Sequence, residues 1–201
     1  MRDIFKGAKA FQEIEYPKRK KVFDKIKINQ KPHTLFIGCS DSRISPDMIT
    51  QSLPGELFVV RNIANIVPHY DINEAFLATT SAIEYAVEVL NVKNIIVCGH
   101  SKCGGCKAMH SGQNLDHLPH VKKWIEMSCH NSQQVDFGDK FSADSKVELN
   151  NVIEQLDKLK TYPFINEKIE EKKLKIFGWY YDIGEGSVYN YDKEEKVFKR
   201  I

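Results

Sequence analysis

Two short stretches, HTLFIGC (33–39) and KNIIVCGH (93–100), limit the fold more than anything else in the chain. Both are apolar almost throughout, with no polar alternation, so they read as strands buried on both faces. ELFVVRN (56–62), introduced by the turn LPGE, reads as another strand. Between the latter two lies DINEAFLATTSAIEYAVEVLNV (71–92), a long helical pattern that Asp71 or Asn73 can cap. Strand, helix and strand of this kind predict an α/β fold, with a mostly parallel central sheet flanked by helices. Residues 2–28 carry apolar positions at helical spacing, interrupted near Pro17, and 117–127 and 146–171 also read as helices. KLKIFGWYYDI (173–183) and SVYNYD (187–192), joined through GEG, predict a C-terminal edge hairpin. Residues 128–142 show no pattern and read as a loop. The chain, 1–201, reads as a single domain whose residues 1–29 form an N-terminal helical arm.

Charge narrows the partners. With 29 basic and 27 acidic residues the net charge is +2, which gives no reason to expect nucleic acid or a membrane surface. The run PKRKK (17–21) falls in a helical pattern and reads as a solvated face. No apolar run approaches the ~18 residues of a membrane span, and the first residues do not resemble a signal peptide, so a cytoplasmic protein is expected. Five cysteines (39, 98, 103, 106 and 129) cannot all pair. In a reducing compartment such a set reads as metal ligands, nucleophiles or buried thiols.

The chemistry concentrates where two strands end. The first ends at Cys39, followed by Ser40-Asp41-Ser42-Arg43, and the third runs into GHSKCGGC (99–106). Ligands in open α/β sheets bind beyond the carboxyl ends of strands, so Cys39 and His100 are expected to converge. One reading is a zinc site of Cys39, His100 and Cys103, three protein ligands that leave a fourth position for water. Gly104 and Gly105 would let the backbone pass close to the metal. A second reading is a redox pair, Cys103 with Cys106 at a helix start. A third is a closed structural site using Cys39, His100, Cys103 and Cys106 together. Cys39 with Arg43 suggests a cysteine phosphatase only superficially, because that loop needs a longer gap. Cys98 and Cys129 read as buried or incidental thiols. Asp41 sits close enough to reach the metal itself. Arg43 offers a planar fork that can hold its carboxylate back, leaving Asp41 ionised and able to orient a hydroxide.

CSDSR (39–43) together with GHSKCGG (99–105), PGELFVVRNIAN (54–65) and AIEYAV (82–87) resembles the β-class carbonic anhydrases. The match runs from about Gln30 to Cys106 and more weakly through LKIFGWYYDIGEGSVYNYD. The resemblance implies one Zn²⁺ per chain on Cys39, His100 and Cys103, Asp41 and Arg43 as a catalytic dyad, and no ligand role for Cys106. It implies reversible hydration of carbon dioxide to bicarbonate by a zinc-bound hydroxide, in a dimer or dimer of dimers whose helical arm embraces the second subunit. Gln30, Phe58, Ile63 and Tyr85 match the substrate pocket of the plant-like, open form, with some walls supplied by the partner. A backbone N–H near Gly104 would also face substrate. Phe36 fits that form as well, whereas Gly38 is at home in the form that closes on its aspartate. His69, His110, His117 and His120 are candidate proton carriers. Hydrolysis of another heterocumulene such as carbon disulfide, or zinc or bicarbonate sensing without catalysis, are the alternative functions.

Overall fold

A computed structural model of the chain describes residues 3–71, 77–112, 114–128, 137 and 140–201. Its centre is a six-stranded sheet of order β2-β1-β3-β4-β5-β6. The strands are β1 Thr34–Cys39, β2 Leu57–Asn62, β3 Asn94–His100, β4 Lys175–Asp182, β5 Ser187–Asp192 and β6 Val197–Arg200. β1 pairs in parallel with both β2 and β3, and β3 with β4. β5 and β6 add antiparallel pairs. The expected edge hairpin is therefore present and carries one further strand that sequence reading did not foresee. The helices are α1 Ile4–Ala10, α2 Tyr16–Ile26, α3 Pro46–Thr50, α4 Leu77–Glu84, α5 Gly104–His110, α6 Pro119–Glu126, α7 Ala143–Leu159 and α8 Pro163–Glu170.

β1 is buried along its whole length, and β3 is buried after its first residue, as apolar strands covered on both faces must be. Leu35, Ile37, Ile95 and Val97 pack with Ile83 and Val87 on one side, and with Leu156 and Leu159 of α7 in the same core. α7 lies against β3 closely enough that a Cβ added at Gly99 would meet Val152 Cγ2 at 2.5 Å, so glycine is required there. The chain leaves β1 for β2 on one side, then crosses to β3 on the other. The carboxyl ends of β1 and β3 thus flank a topological switch point, where α/β sheets open a crevice.

Three helical expectations are refined. The interruption near Pro17 is a π-helical turn, Phe11–Glu15, between α1 and α2. Proline has no N–H to donate and its ring crowds the preceding turn, and the wider turn accommodates both. The single helix expected over 146–171 is two, because Pro163 starts α8 and holds Tyr162 extended. The helix expected over 71–92 is α4 continued by a π turn, Tyr85–Val89. Asn73, a proposed cap, and most of the expected 128–142 loop, with Cys129, lie outside the described residues. Among the described residues no helix is long and apolar enough to cross a membrane.

Candidate metal centre

Cys39 is the last residue of β1 and His100 the last of β3, so the switch point delivers both to one place. Cys103 follows at the start of α5, with extended backbone. The ligand atoms of Cys39, His100 and Cys103 all lie within 4.8 Å of one another, and all three residues are buried. The two sulfurs are 4.0 Å apart. Two sulfurs at ~2.3 Å from a tetrahedral ion stand about 3.8 Å apart, so the spacing fits zinc. His100 Nδ1 lies 3.0 Å from the Ser101 carbonyl, which can only accept, so the ring proton belongs on Nδ1. Nε2 is buried with no hydrogen-bond partner and presents its lone pair to the sulfurs. A divalent cation that favours nitrogen and sulfur satisfies it. No other cluster of this kind occurs among the described residues, and Cys106, although buried, is not in it. The Cys103 thiol beside it, then burial, pushes Cys39 up to about 12. Cys106 does most to push Cys103 up to about 12. A cation reverses both shifts by binding the thiolates.

Asp41 stands next to this trio without joining it. Arg43 donates from Nε to Asp41 Oδ1 at 2.9 Å and from Nη2 to Oδ2 at 2.7 Å, and the Arg43 backbone N–H donates to Oδ1 at 3.0 Å. This fork holds the Asp41 carboxyl well below the usual carboxylate range. Asp41 Oδ2 is 4.0 Å from His100 Nε2.

A carbonic anhydrase family profile matches residues 34–188. Over 202 residues the chain is 41% identical to a carbonic anhydrase of Pseudomonas aeruginosa, covering 98% of this chain and 90% of the relative. It is 39% identical over 207 residues to one from Helicobacter pylori, covering 99% and 94%. The solved β-carbonic anhydrase CcaA superposes with a TM-score of 0.87 at 33% identity, covering 98% of this chain and 90% of that one. One of two tetrameric β-carbonic anhydrases of Sordaria macrospora gives 0.78 at 33% identity, covering 93% and 94%. The chain belongs to the β-class carbonic anhydrases.

The other residues singled out from sequence fall into two groups in this carbonic anhydrase fold. Ile63 lies beside the metal loop: a Cβ at Gly105 would meet Ala64 Cβ at 2.8 Å and Ile63 Cγ2 at 3.0 Å. Of the two glycines expected to let the backbone approach closely, Gly105 does so, against this turn, while a Cβ at Gly104 would meet nothing. Phe58 and Tyr85 pair with ring centroids 6.0 Å apart, far from the ligands of their own chain. Phe58 is level with Leu35, four residues before Cys39, or roughly 13 Å along the strand. Gln30 is exposed on the segment before β1. Cys98 is buried on the other face of the sheet with Phe36 and Ile96.

Sequence reading missed two groups that hold the centre. Arg61, on β2, donates to the carbonyls of Cys39 at 3.0 Å and Asp41 at 2.7 Å. A cation in an apolar strand is the signal that was available. α7 also presents a buried polar face. Glu148 accepts from the Cys103 N–H at 2.9 Å. Asn151 donates to the Ala64 carbonyl at 3.0 Å, and Gln155 Oε1 accepts from the Val67 N–H at 2.9 Å. The positions 148, 151 and 155 share a helical stripe, which was legible as polar residues interleaved with Leu149, Val152 and Leu156.

Proposed function

We propose that this protein catalyses the reversible hydration of carbon dioxide to bicarbonate with one zinc per chain, held by Cys39, His100 and Cys103. The observation that carries this reading is the convergence of three buried ligand atoms beside a carboxylate that Arg43 restrains. Zinc, when bound, supplies the acidity that makes hydroxide available near neutral pH.

The chain's own residues do the rest. Cys39 and Cys103 give up their protons on binding the metal, and His100 offers Nε2 because its Nδ1 proton is committed to the Ser101 carbonyl. Asp41, kept ionised, can only accept, so it would accept a hydrogen bond from the attacking hydroxyl and orient its oxygen lone pair toward the carbon of the substrate. Arg43 keeps Asp41 from becoming a fourth ligand, which supports the plant-like, open form of the family. Ile63 forms an apolar wall on the same chain. Phe58, Tyr85 and Gln30 complete the pocket of a second copy, where Gln30 donates its amide to a substrate oxygen and Gly104 its N–H.

The arm supports self-association. Ile4 and Phe5 are 84% and 88% exposed, and no residue of α1 or α2 is buried. Apolar side chains left this exposed on a helical arm make a partner surface. A dimer, or a dimer of dimers, in the cytoplasm fits this surface and the reduced thiols. Stopped-flow carbon dioxide hydration by zinc-loaded protein tests the function. Full zinc content without hydration would overturn it, and turnover of carbon disulfide instead would install the heterocumulene hydrolase.

A further inference from the structure

Two of the three ligands sit on strands, where the ladder fixes them. Cys103 does not. It lies beyond β3, after Lys102, whose backbone is left-handed at φ 59°. Only a few per cent of non-glycine residues accept that conformation, and lysine gains nothing from it. The peptide joining Lys102 to Cys103 therefore tends to turn, and Cys103 turns with it. Both ends of that one peptide are gripped. Arg43 Nη2 donates to the Lys102 carbonyl at 3.0 Å, and the Cys103 N–H donates to Glu148 Oε1 at 2.9 Å. The second oxygen of Glu148 accepts from the Tyr180 hydroxyl at 2.9 Å. Glu148 is only 3% exposed, an expensive place for a carboxyl group that served packing alone.

We infer that Glu148 is a positioning residue for metal binding: its Oε1, opposite Arg43, locks the Lys102–Cys103 peptide in the orientation that aims the Cys103 sulfur at the ion. This rests on Cys103 being a ligand. It requires an acceptor at Glu148 rather than a charge, so glutamine, whose amide oxygen can take the Cys103 N–H while its NH₂ faces the Tyr180 oxygen, preserves it.

Cobalt(II) uptake, followed by its thiolate charge-transfer band, and zinc affinity by chelator competition test the assignment. Glu148→Met keeps the volume and removes the acceptor. It should bind both metals roughly 10–100-fold more weakly, with an altered cobalt band. Glu148→Gln should match the wild type in affinity and band. A purely structural role would lower the melting temperature of the metal-free variants without moving the band. Glu148→Met with wild-type affinity and spectrum, or Glu148→Gln as impaired as Glu148→Met, overturns the inference. If Glu148→Met does not fold, Glu148→Gln decides alone: wild-type metal affinity and band support the inference, and a loss of roughly tenfold or more overturns it. Wild-type protein that takes up no cobalt, or Cys103→Ser with an unchanged band, would instead remove Cys103 from the ligand set.

Discussion

The loop from His100 to Cys103 and the arm from Ile4 to Ile26 meet their needs in opposite ways. In the loop, the His100 ring, the Lys102 carbonyl, the Cys103 N–H and the Ser101 hydroxyl all find partners within the chain. The His100 ring is held by Ser101 within the loop, and the other partners come from the loop after β1, from α7 and from the residue after β4. In the arm, most contacts are local: Tyr16 stacks on Phe23, Phe11 meets both rings edge-on, and surface ion pairs such as Lys20–Asp24 join neighbouring turns, while Ile26 at its end packs near the Gly55 turn. Exposed pairs of that kind contribute under about 1 kcal/mol each. The metal ligands are thus brought together inside one chain, whereas the arm keeps apolar side chains such as Ile4 and Phe5 exposed, the surface we propose a second copy covers.

Substitutions can break or sharpen that contrast. The largest effect belongs to the loop: Cys103→Ser should lose bound zinc and reduce hydration to background, measured by metal analysis and stopped flow. Asp41→Asn should retain one zinc per chain yet lose roughly 10²-fold or more in kcat/KM, since it can no longer orient a hydroxyl as a pure acceptor. The Asp41 carboxyl is held below its unfolded value, so its pairing with Arg43 stabilises the fold above the ordinary carboxylate pKa of about 3.9 and is lost only as pH falls through the depressed value. Unfolding followed between pH 7 and pH 5 should therefore show no loss traceable to this pair, with Asp41→Asn as the control.

On the side of the arm, replacing Phe11 and Ile14 together by Glu should shift the sedimentation of the native assembly to single chains. An unchanged assembly would mean that the exposed arm is not where copies meet. Tyr85→Ala should leave zinc content intact and lower kcat/KM roughly tenfold, a loss of apolar wall felt in the neighbouring copy's pocket. The smallest effect is Cys106→Ser. Zinc and activity should stay within about twofold, with a modest fall in melting temperature from burying a hydroxyl. Loss of zinc there would bring back the four-ligand site.

Much of this was legible in the residues. β1 and β3 announced themselves because a strand covered on both faces has little room for polar residues, β2 by its apolar run after the turn LPGE, and the convergence of Cys39 and His100 followed from where β1 and β3 end. β6 was not legible, since VFKR is short and mostly exposed. The break at Pro163 was visible as a proline inside a helical run, yet apolar periodicity on both sides masked it. Glu148 was hidden for a deeper reason. A helix pattern identifies a polar residue on an apolar stripe, but only the crossing of α7 over β3, which Gly99 permits, shows which N–H that carboxyl reaches. The position of Phe58 relative to the ligands likewise depended on strand register, and that of Tyr85 on its ring contact with Phe58, which no local pattern contains.

Arg61 also has a consequence for how the site can change state. Asp41 is fastened by its carbonyl to Arg61, by its N–H to the Cys39 sulfur and by its carboxylate to Arg43. Its hinge is therefore bolted on both flanks while its head is latched, like a shutter pinned against the wall. Acid would have to undo the latch by protonating a group that resists it, so moderate acidity alone should leave Asp41 fastened to Arg43.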